Sequence, residues 1–237
     1  MDQNSTEELK QRAVDAALDW FEKEFENQRP LVMGVGSGTT ISYAFERLGN
    51  YEGIVSVPTS SATKKGLKSH GVSVRDLDPR LEIVVDIDGA DEVSPELTLL
   101  KGGGGCHYQE KKVAETSKQF VIVVDERKLV DYIGQRTPLP VEVKEDRIEK
   151  LKEELAEIGP ARVRKSRGDL FRTDQGNPIL DVTVDGRRLP DDFEVLESRI
   201  NKLPGVIENG IFARRKPELV FVGGKEGVQV LTKGNYD

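Results

Sequence analysis

Short, uninterrupted apolar segments recur along the first half of the chain, and helical segments separate them. Segments 31–35, 81–87 and 120–124 are apolar along nearly their whole length instead of at every second residue. Strands of this kind are typical of a parallel sheet that helices cover on both faces, and the alternation of strand and helix favours the same class. The sequence therefore predicts an α/β fold with a Rossmann-like, mostly parallel sheet.

The pattern changes after residues 138–140, where predicted strands and helices follow in the order β-α-β-β-α-β. This order is typical of a ferredoxin-like unit. Its predicted elements are strands at 141–143, 161–165, 178–184 and 206–213 and helices at 146–158 and 191–203. Residues 219–224 again form a buried apolar strand, which we expect to return to the first sheet.

The length of the chain fits one large domain that carries a smaller insert. At about 150 residues per domain, 237 residues correspond to roughly one and a half domains. We therefore expect a Rossmann-like catalytic domain made of residues 1–130 and 214–237. Residues 131–213 are expected to form the inserted ferredoxin-like α+β domain.

Charge and composition exclude several classes of protein. The net charge is −7 and the pI is about 5.2, which argues against a nucleic-acid partner because such proteins need a basic face. One cysteine and two histidines make a metal site with nitrogen and sulfur ligands improbable. The first residues lack the pattern of a signal peptide, and no apolar run is long enough to cross a membrane. We expect a cytoplasmic protein with no membrane partner.

The segment Gly36-Ser37-Gly38-Thr39-Thr40 follows a predicted strand and precedes a predicted helix at 41–48. Glycines allow close approach of the backbone to an anion, and a helix N-terminus offers free N–H groups. The segment is neither a Walker A loop nor a complete G-x-G-x-x-G fingerprint. It is either a phosphate cradle or a tight βα turn without a ligand.

Three acids lie within five residues at the end of the strand 81–87, in the segment Asp88-Gly89-Ala90-Asp91-Glu92. Ligands of open α/β sheets bind beyond the carboxyl ends of the strands. Acid–base chemistry or Mg²⁺ binding would use such carboxylates, whereas a plain surface turn would leave them in solvent.

Lys101 precedes four consecutive glycines, 102–105, which lead into a predicted helix that carries Glu110. Such a run is entropically costly, but it suits a place where several N–H groups converge on an oxyanion. The alternative is a flexible loop followed by a solvated helix. Lys128 follows the strand 120–124 and could hold a phosphate, although a surface lysine is the simpler interpretation. His70, Cys106 and His107 are left outside the catalytic set.

Together these stretches resemble type A ribose-5-phosphate isomerases, and the similarity extends along nearly the whole chain. The resemblance includes the segment Pro138-Leu139-Pro140-Val141-Glu142-Val143 and the predicted insert. It implies an aldose–ketose isomerase that interconverts D-ribose 5-phosphate and D-ribulose 5-phosphate through an enediolate, in the non-oxidative pentose phosphate pathway. It implies no cofactor, no metal, a sugar phosphate as the small-molecule partner, and a homodimer or homotetramer to which the insert contributes.

Carried over to this chain, the resemblance makes Glu110 the base that moves a proton between C1 and C2. Asp88 and Asp91 would assist ring opening, and Lys101 with the glycine amides would stabilise the enediolate. The substrate-binding residues that it implies are Gly36, Ser37, Gly38, Thr39, Thr40, Gly102, Gly103, Gly104, Lys128 and Lys10.

Two other classes of function fit a related fold. One is a sugar-phosphate sensor domain of a transcription regulator, which would need no base at Glu110. The other is an amino-sugar phosphate deaminase or CoA transferase, and release of ammonia would identify the deaminase.

Overall fold

The computed structural model describes residues 3–184 and 192–234. Its helices are α1 (Gln3–Glu24), α2 (Phe45–Gly49), α3 (Ser61–Ser69), α4 (His107–Thr116), α5 (Ile148–Leu155) and α6 (Phe193–Asn201). Its strands are β1 (Leu31–Val35), β2 (Ile54–Pro58), β3 (Ser73–Val74), β4 (Ile83–Asp88), β5 (Glu92–Val93), β6 (Leu99–Leu100), β7 (Ser117–Asp125), β8 (Leu139–Val143), β9 (Ala161–Val163), β10 (Lys165–Ser166), β11 (Asp169–Leu170), β12 (Ile179–Val182), β13 (Val206–Asn209), β14 (Ile211–Phe212), β15 (Leu219–Gly224) and β16 (Gly227–Leu231).

The chain divides into two compact units. The first unit comprises Met1–Ala90, Gln109–Lys128 and Pro217–Asp237, and the second comprises Asp91–Tyr108 and Leu129–Lys216. This division differs from the expected domains in one substantial respect, because residues 91–108 group with the second unit. Their two short strands, β5 and β6, pair with each other, and β6 pairs with β14, so they form a separate small sheet.

The first unit is built on a seven-stranded sheet with the order β16-β15-β7-β4-β1-β2-β3. All neighbouring strands are parallel except β16, which pairs antiparallel with β15. The prediction of a Rossmann-like, mostly parallel sheet is confirmed, and residues 219–224 return to it as expected. The final strand β16 was not predicted, because its alternating, mostly exposed residues carry little apolar signal.

Helices cover both faces of β1. Met33 and Val35 face a large core cluster that includes Leu18 and Phe21 of α1. The next position along the strand, Gly34, faces Val113 of α4, since a Cβ at Gly34 would lie 2.6 Å from that side chain. Successive positions of a strand point to opposite faces, so α1 and α4 pack on opposite sides of the sheet.

The second unit contains a four-stranded antiparallel sheet with the order β13-β8-β12-β9 and the helices α5 and α6. In chain order these strands are fourth, first, third and second, as in a ferredoxin-like fold, so that prediction is also confirmed. Its core is apolar and includes Leu139, Val141, Leu151, Leu180 and Ile200.

Several predicted elements differ from those observed in the second unit. The predicted strand 206–213 is broken at Gly210, because β13 and β14 belong to different sheets. A short hairpin of β10 and β11 follows β9 where no strand pair was expected. The predicted helix 191–203 corresponds to α6, and its first predicted residue, 191, lies outside the described residues.

Within residues 3–184 and 192–234, no helix is long and apolar enough to cross a membrane.

Candidate active site

The loop 36–40 begins where β1 ends. Gly36 extends the pairing of β1 with β4, since its N–H donates to the Ile87 carbonyl at 2.9 Å. A Cβ at Gly36 would overlap the Asp88 carboxylate, so only glycine allows that side chain to occupy its place. The first glycine of the predicted cradle therefore makes room for an acid of the neighbouring strand.

Asp88 is the last residue of β4 and is fully buried. Its Oδ1 accepts hydrogen bonds from the N–H groups of Ser37 at 3.0 Å and Gly89 at 2.7 Å. The two amides fix the orientation of the carboxylate at the carboxyl edge of the sheet, where open α/β sheets bind ligands. The structure thus brings together two of the predicted stretches, 36–40 and 88–92.

A hydroxyl-rich turn after β2 supports the 36–40 loop, and no role was assigned to it from the sequence. The Ser37 and Thr59 hydroxyls lie 2.7 Å apart, and Thr63 donates to the Gly36 carbonyl at 2.8 Å. Ser60 caps α3 by accepting from the Thr63 N–H. The signal that could have identified this turn is its position after the strand next to β1, at the same edge of a parallel sheet.

The outer part of the 36–40 loop contacts α1. Lys10 donates from Nζ to the Thr39 hydroxyl at 3.0 Å, which places a cation beside the predicted phosphate-binding threonines. The expected helix after the loop begins as a 3₁₀ turn, Ile41–Ala44, and α2 contains five residues. Among the described residues, no long helix begins at this loop, so a strong helix dipole does not contribute to anion binding here. The groups that could bind an anion are Lys10, the hydroxyls and the local amides.

Lys128 ends a 3₁₀ turn, Glu126–Lys128, directly after β7. Within the described residues it makes no hydrogen bond or ion pair with the 36–40 loop, although both follow parallel strands and lie at the same edge of the sheet. Its nearest charged neighbours include Asp125. Burial raises the pKa of Asp125, but hydrogen bonds from Arg127 and the charge of Lys128 outweigh it, so the net pKa is lowered.

Glu110 lies in the first turn of α4 and is 5% exposed. Because α4 ends at Thr116 and β7 begins at Ser117, the helix runs antiparallel to the strands. Its N-terminal turn consequently points to the carboxyl edge of the sheet. Val113 contacts β1 at Gly34, and Glu110 lies one turn further towards that edge.

In the second unit, Asp91 contacts the run of four glycines at Gly103. Its Oδ2 accepts a hydrogen bond from the Gly103 N–H at 2.7 Å, and its own N–H donates to the Leu100 carbonyl at 2.8 Å. Lys101 is 3% exposed and its Nζ lies 5.6 Å from the centre of the Phe212 ring. A buried lysine and a carboxylate thus flank the start of the glycine run.

Residues 102–105, called the glycine turn below, close a tight backbone turn. The Gly105 N–H donates to the Gly102 carbonyl at 2.9 Å, and both residues have a positive φ. A Cβ at Gly102 would lie 2.5 Å from Nδ1 of His107, which is fully buried at the start of α4. Glycine is therefore required at 102 for both backbone conformation and space.

Each unit thus contains some of the site residues that the sequence predicts. The first unit joins Lys10 with Thr39 and Asp88 with the 36–40 loop, and it holds Glu110 buried; the second joins Asp91 with the glycine turn. Across residues 3–184 and 192–234, no group of three or more His, Cys, Asp and Glu side chains is arranged to hold a metal ion. Buried carboxylates, a lysine and amides are groups that move protons and stabilise oxyanions.

Comparison with known proteins identifies relatives along nearly the whole chain. The model of the family ribose 5-phosphate isomerase A (phosphoriboisomerase A) matches residues 55–227. Ribose-5-phosphate isomerase A of Prochlorococcus marinus (strain NATL2A) is 38% identical over 239 aligned residues, which cover 95% of this chain and 98% of that protein.

Solved structures give the same result. A D-ribose-5-phosphate isomerase in complex with phospho-erythronic acid has a TM-score of 0.88 and 37% identity, covering 98% of this chain and 100% of that one. Ribose 5-phosphate isomerase A from Methanocaldococcus jannaschii has a TM-score of 0.86 and 36% identity, covering 96% of this chain and 99% of that one. By sequence and by fold, this chain belongs to the ribose 5-phosphate isomerase A family.

Proposed function

We propose that this chain interconverts D-ribose 5-phosphate and D-ribulose 5-phosphate by moving a proton between C2 and C1. Family membership supports the reaction. The observation that carries the proposal is Glu110, a carboxylate buried in the first helical turn after the glycine turn. A base in that position is what an enediolate mechanism requires and what a sugar-phosphate sensor does not.

Glu110 takes the C2 proton of the open-chain aldose. The electron pair of that C–H bond forms the C1–C2 double bond, and the π pair of the C1 carbonyl moves onto O1, which gives the enediolate. O1 gains a proton and O2 loses its own; an electron pair of O2 then forms the C2 carbonyl as the C1–C2 π pair takes the proton back at C1, which yields the ketose. Asp88 and Asp91 serve ring opening and the proton movements on oxygen. Lys101 and the amides of the glycine turn stabilise the negative oxygens.

The 36–40 loop and Lys10 bind the phosphate, together with Lys128. The Lys10–Thr39 contact of 3.0 Å supports this assignment for the first lysine. For Lys128 the support is its position after β7, at the same edge of the sheet as the 36–40 loop. Binding energy from the phosphate, which does not react, would be used to orient the sugar.

The solved relative with phospho-erythronic acid supports the same chemistry. That ligand is a sugar-acid phosphate whose planar carboxylate carries two oxygens, as the enediolate does at C1 and C2. We also propose that the enzyme acts in the cytoplasm, in the non-oxidative pentose phosphate pathway. It would need no metal or cofactor and form a homodimer or homotetramer through the inserted unit.

The direct test is ketose formation from ribose 5-phosphate after exhaustive treatment with EDTA. We expect the rate of the treated enzyme to equal that of the untreated enzyme, because the proposed mechanism uses protein side chains alone. A loss that Mg²⁺ or Mn²⁺ restores would make Asp88 and Asp91 metal ligands and overturn this mechanism. Release of ammonia from an amino-sugar phosphate, with no ketose from ribose 5-phosphate, would instead favour a deaminase.

A further inference from the structure

Arg164, which lies between β9 and β10 in the second unit, is held in one orientation by Asp181 of β12. Its Nε donates to Oδ2 of Asp181 at 2.9 Å, and its Nη2 donates to Oδ1 at 2.5 Å. Both side chains are mostly buried. This bidentate pair fixes the plane of the guanidinium group, which a single ammonium contact cannot do.

The remaining nitrogen of Arg164 reaches the glycine turn. Its Nη1 donates to the Gly102 carbonyl at 2.8 Å and to the Gly103 carbonyl at 3.0 Å. The carbonyl and the following N–H of a trans peptide point in opposite directions. Holding these two carbonyls therefore turns the N–H groups of Gly103 and Gly104 away from Arg164.

One of the two amides that are turned away contacts Asp91, and the other does not. The Gly103 N–H donates to Oδ2 of Asp91 at 2.7 Å. Over the part of the chain that the structure describes, no hydrogen bond from the Gly104 N–H is found. The amide of Gly104 is therefore available as a donor on the side of the turn that carries Asp91.

An aromatic ring keeps Arg164 and the glycine turn together. The guanidinium carbon lies 5.5 Å from the centre of the Phe171 ring, and the Phe171 N–H donates to the Arg164 carbonyl at 3.1 Å. A Cβ at Gly105 would lie 2.6 Å from the same ring. Phe171 thus contacts both the cation and the turn that the cation holds.

We propose that Arg164 is a positioning residue that holds the Gly103 amide on Asp91 and presents the amide of Gly104 to the developing enediolate. The proposal rests on the function proposed above, which assigns the glycine turn to oxyanion stabilisation. Arg164 would not touch the substrate. It acts through two backbone carbonyls, and Asp181 acts through Arg164.

The test compares Arg164→Lys with Arg172→Lys as a matched control. Arg172 lies in the same unit and also pairs with a carboxylate, since its Nη2 donates to both oxygens of Glu145. That pair is exposed, and the hydrogen bonds of Arg172 go to Glu145 and Gly176, not to the glycine turn. We expect Arg164→Lys to lower kcat for ribose 5-phosphate about 10-fold to 100-fold, since misplacing a donor by about 1 Å can cost that much. The KM should change less than threefold, and Arg172→Lys should match the wild type.

Inhibition by two anions separates positioning from a general loss of structure. Arg164→Lys should weaken inhibition by phospho-erythronic acid about tenfold and leave inhibition by inorganic phosphate within twofold, because the phosphate contacts belong to other residues. Equal weakening of both inhibitors, or a kcat equal to that of Arg172→Lys, would overturn the proposal.

A second variant, Asp181→Asn, tests the proposal even if Arg164→Lys fails to fold. It keeps the size of the anchor and removes its charge, so kcat should fall in the same direction by a smaller factor, with the same selectivity between the inhibitors. If Asp181→Asn folds with unchanged kcat, Arg164 does not position the turn. A wild-type enzyme that forms no ribulose 5-phosphate would overturn the proposed function itself, and this inference with it.

Discussion

Most charged residues assigned to the reaction fall into two groups by exposure, and Asp91, a proton-transfer candidate that is partly exposed, is the exception. Asp88, Lys101 and Glu110 are each 5% exposed or less, although charged side chains are rarely buried without a partner or a function. Lys10 and Lys128 are partly exposed. Burial suits groups that transfer protons or stabilise an oxyanion, and partial exposure suits cations that receive a phosphate from solvent.

Lys10→Met tests the phosphate assignment. The change removes the cation beside Thr39 but keeps the aliphatic length, so the stability of the protein should hardly change. We expect kcat/KM for ribose 5-phosphate to fall about tenfold, the effect of roughly 1.4 kcal/mol of lost binding energy. The slow turnover of unphosphorylated ribose should stay the same.

Lys23→Met is the control, because Lys23 is exposed at the other end of α1. Equal damage to ribose and ribose 5-phosphate by Lys10→Met would mean that Lys10 does not contact the phosphate. The same pair of substrates applied to Lys128→Met tests the second lysine.

Glu142, the fourth of the five residues of β8, is expected to make the stability of the protein depend on pH. Burial raises the pKa of its carboxyl, although hydrogen bonds from Asn177 and Thr173 act in the opposite direction. Between the ordinary value of 4.5 and the raised value, the folded state binds more protons than the unfolded state. Stability contributed by this group is therefore present below 4.5 and lost as pH rises.

In the variant Glu142→Gln, the side chain at 142 cannot ionise. The variant should therefore not show the loss of stability that ionisation of Glu142 causes as pH rises. The free energy of unfolding is measured for both proteins by urea titration from pH 4 to pH 8. The value for the variant minus the value for the wild type should increase as pH rises. Two parallel curves would show that the ionisation of Glu142 is not coupled to folding.

At the scale of elements, the contact between β1 and β4 is what places Asp88. Gly36 directly follows β1, Asp88 is the last residue of β4, and the acid fills the space in which a Cβ of residue 36 would lie. Parallel pairing of Val35 with Ile87 sets this register. A single pair of neighbouring strands therefore joins the 36–40 loop to a buried carboxylate.

Gly36→Ala should displace the Asp88 carboxylate and lower kcat at least tenfold, with a loss of about 1 to 3 kcal/mol in stability from overpacking. Gly89→Ala is the matched change, because its Cβ would meet no atom closer than 3.8 Å and its amide donor remains. That control should keep most of the activity and stability. Similar kcat values for both variants would contradict the role of this contact.

Long apolar strands and amphipathic helices could be predicted from the sequence, because their burial patterns extend over many residues. The strands β1, β4 and β7 are examples, and so is the ferredoxin-like order of the insert. The two-residue strands β5 and β6 could not be predicted, since strands that short carry no periodicity. The predicted strand 206–213 is broken at Gly210, where the chain passes from one sheet to another. Glycine is needed there because a Cβ would overlap the Lys101 carbonyl, a contact that the sequence does not reveal.

Those residues of the candidate site that stand in a recognisable local sequence pattern could be predicted. Glycine runs and acids after strands identified Gly36, Asp88, Asp91 and the glycine turn. Supporting residues were missed, because Thr59, Arg164 and Asp181 act through contacts between segments that are distant in sequence. Thr59 carries one signal, its position directly after β2, whereas nothing in the local sequence of Arg164 or Asp181 distinguishes them from ordinary surface residues.

For the molecule as a whole, residues assigned to the reaction are distributed over both units. Glu110 and Asp88 belong to the first unit, and Asp91, Lys101 and the glycine turn belong to the second. The chain passes between the units at residues 90–91 and again at 108–109, close in sequence to these acids. The segment 91–108 was predicted to belong to the first domain. It groups with the second unit because its short strands, β5 and β6, form a sheet with β14.

The central claim is that Glu110 moves the proton at C2, and isotope exchange measures this step directly. Glu110→Gln keeps the shape of the side chain and removes its basicity, so kcat should fall about 100-fold or more. Exchange of the C2 proton of ribose 5-phosphate with deuterated solvent should stop, while Glu115→Gln, an exposed change on the same helix, should exchange like the wild type. If Glu110→Gln exchanges that proton at a rate near the wild type, another residue is the base, and Asp88 becomes the first candidate.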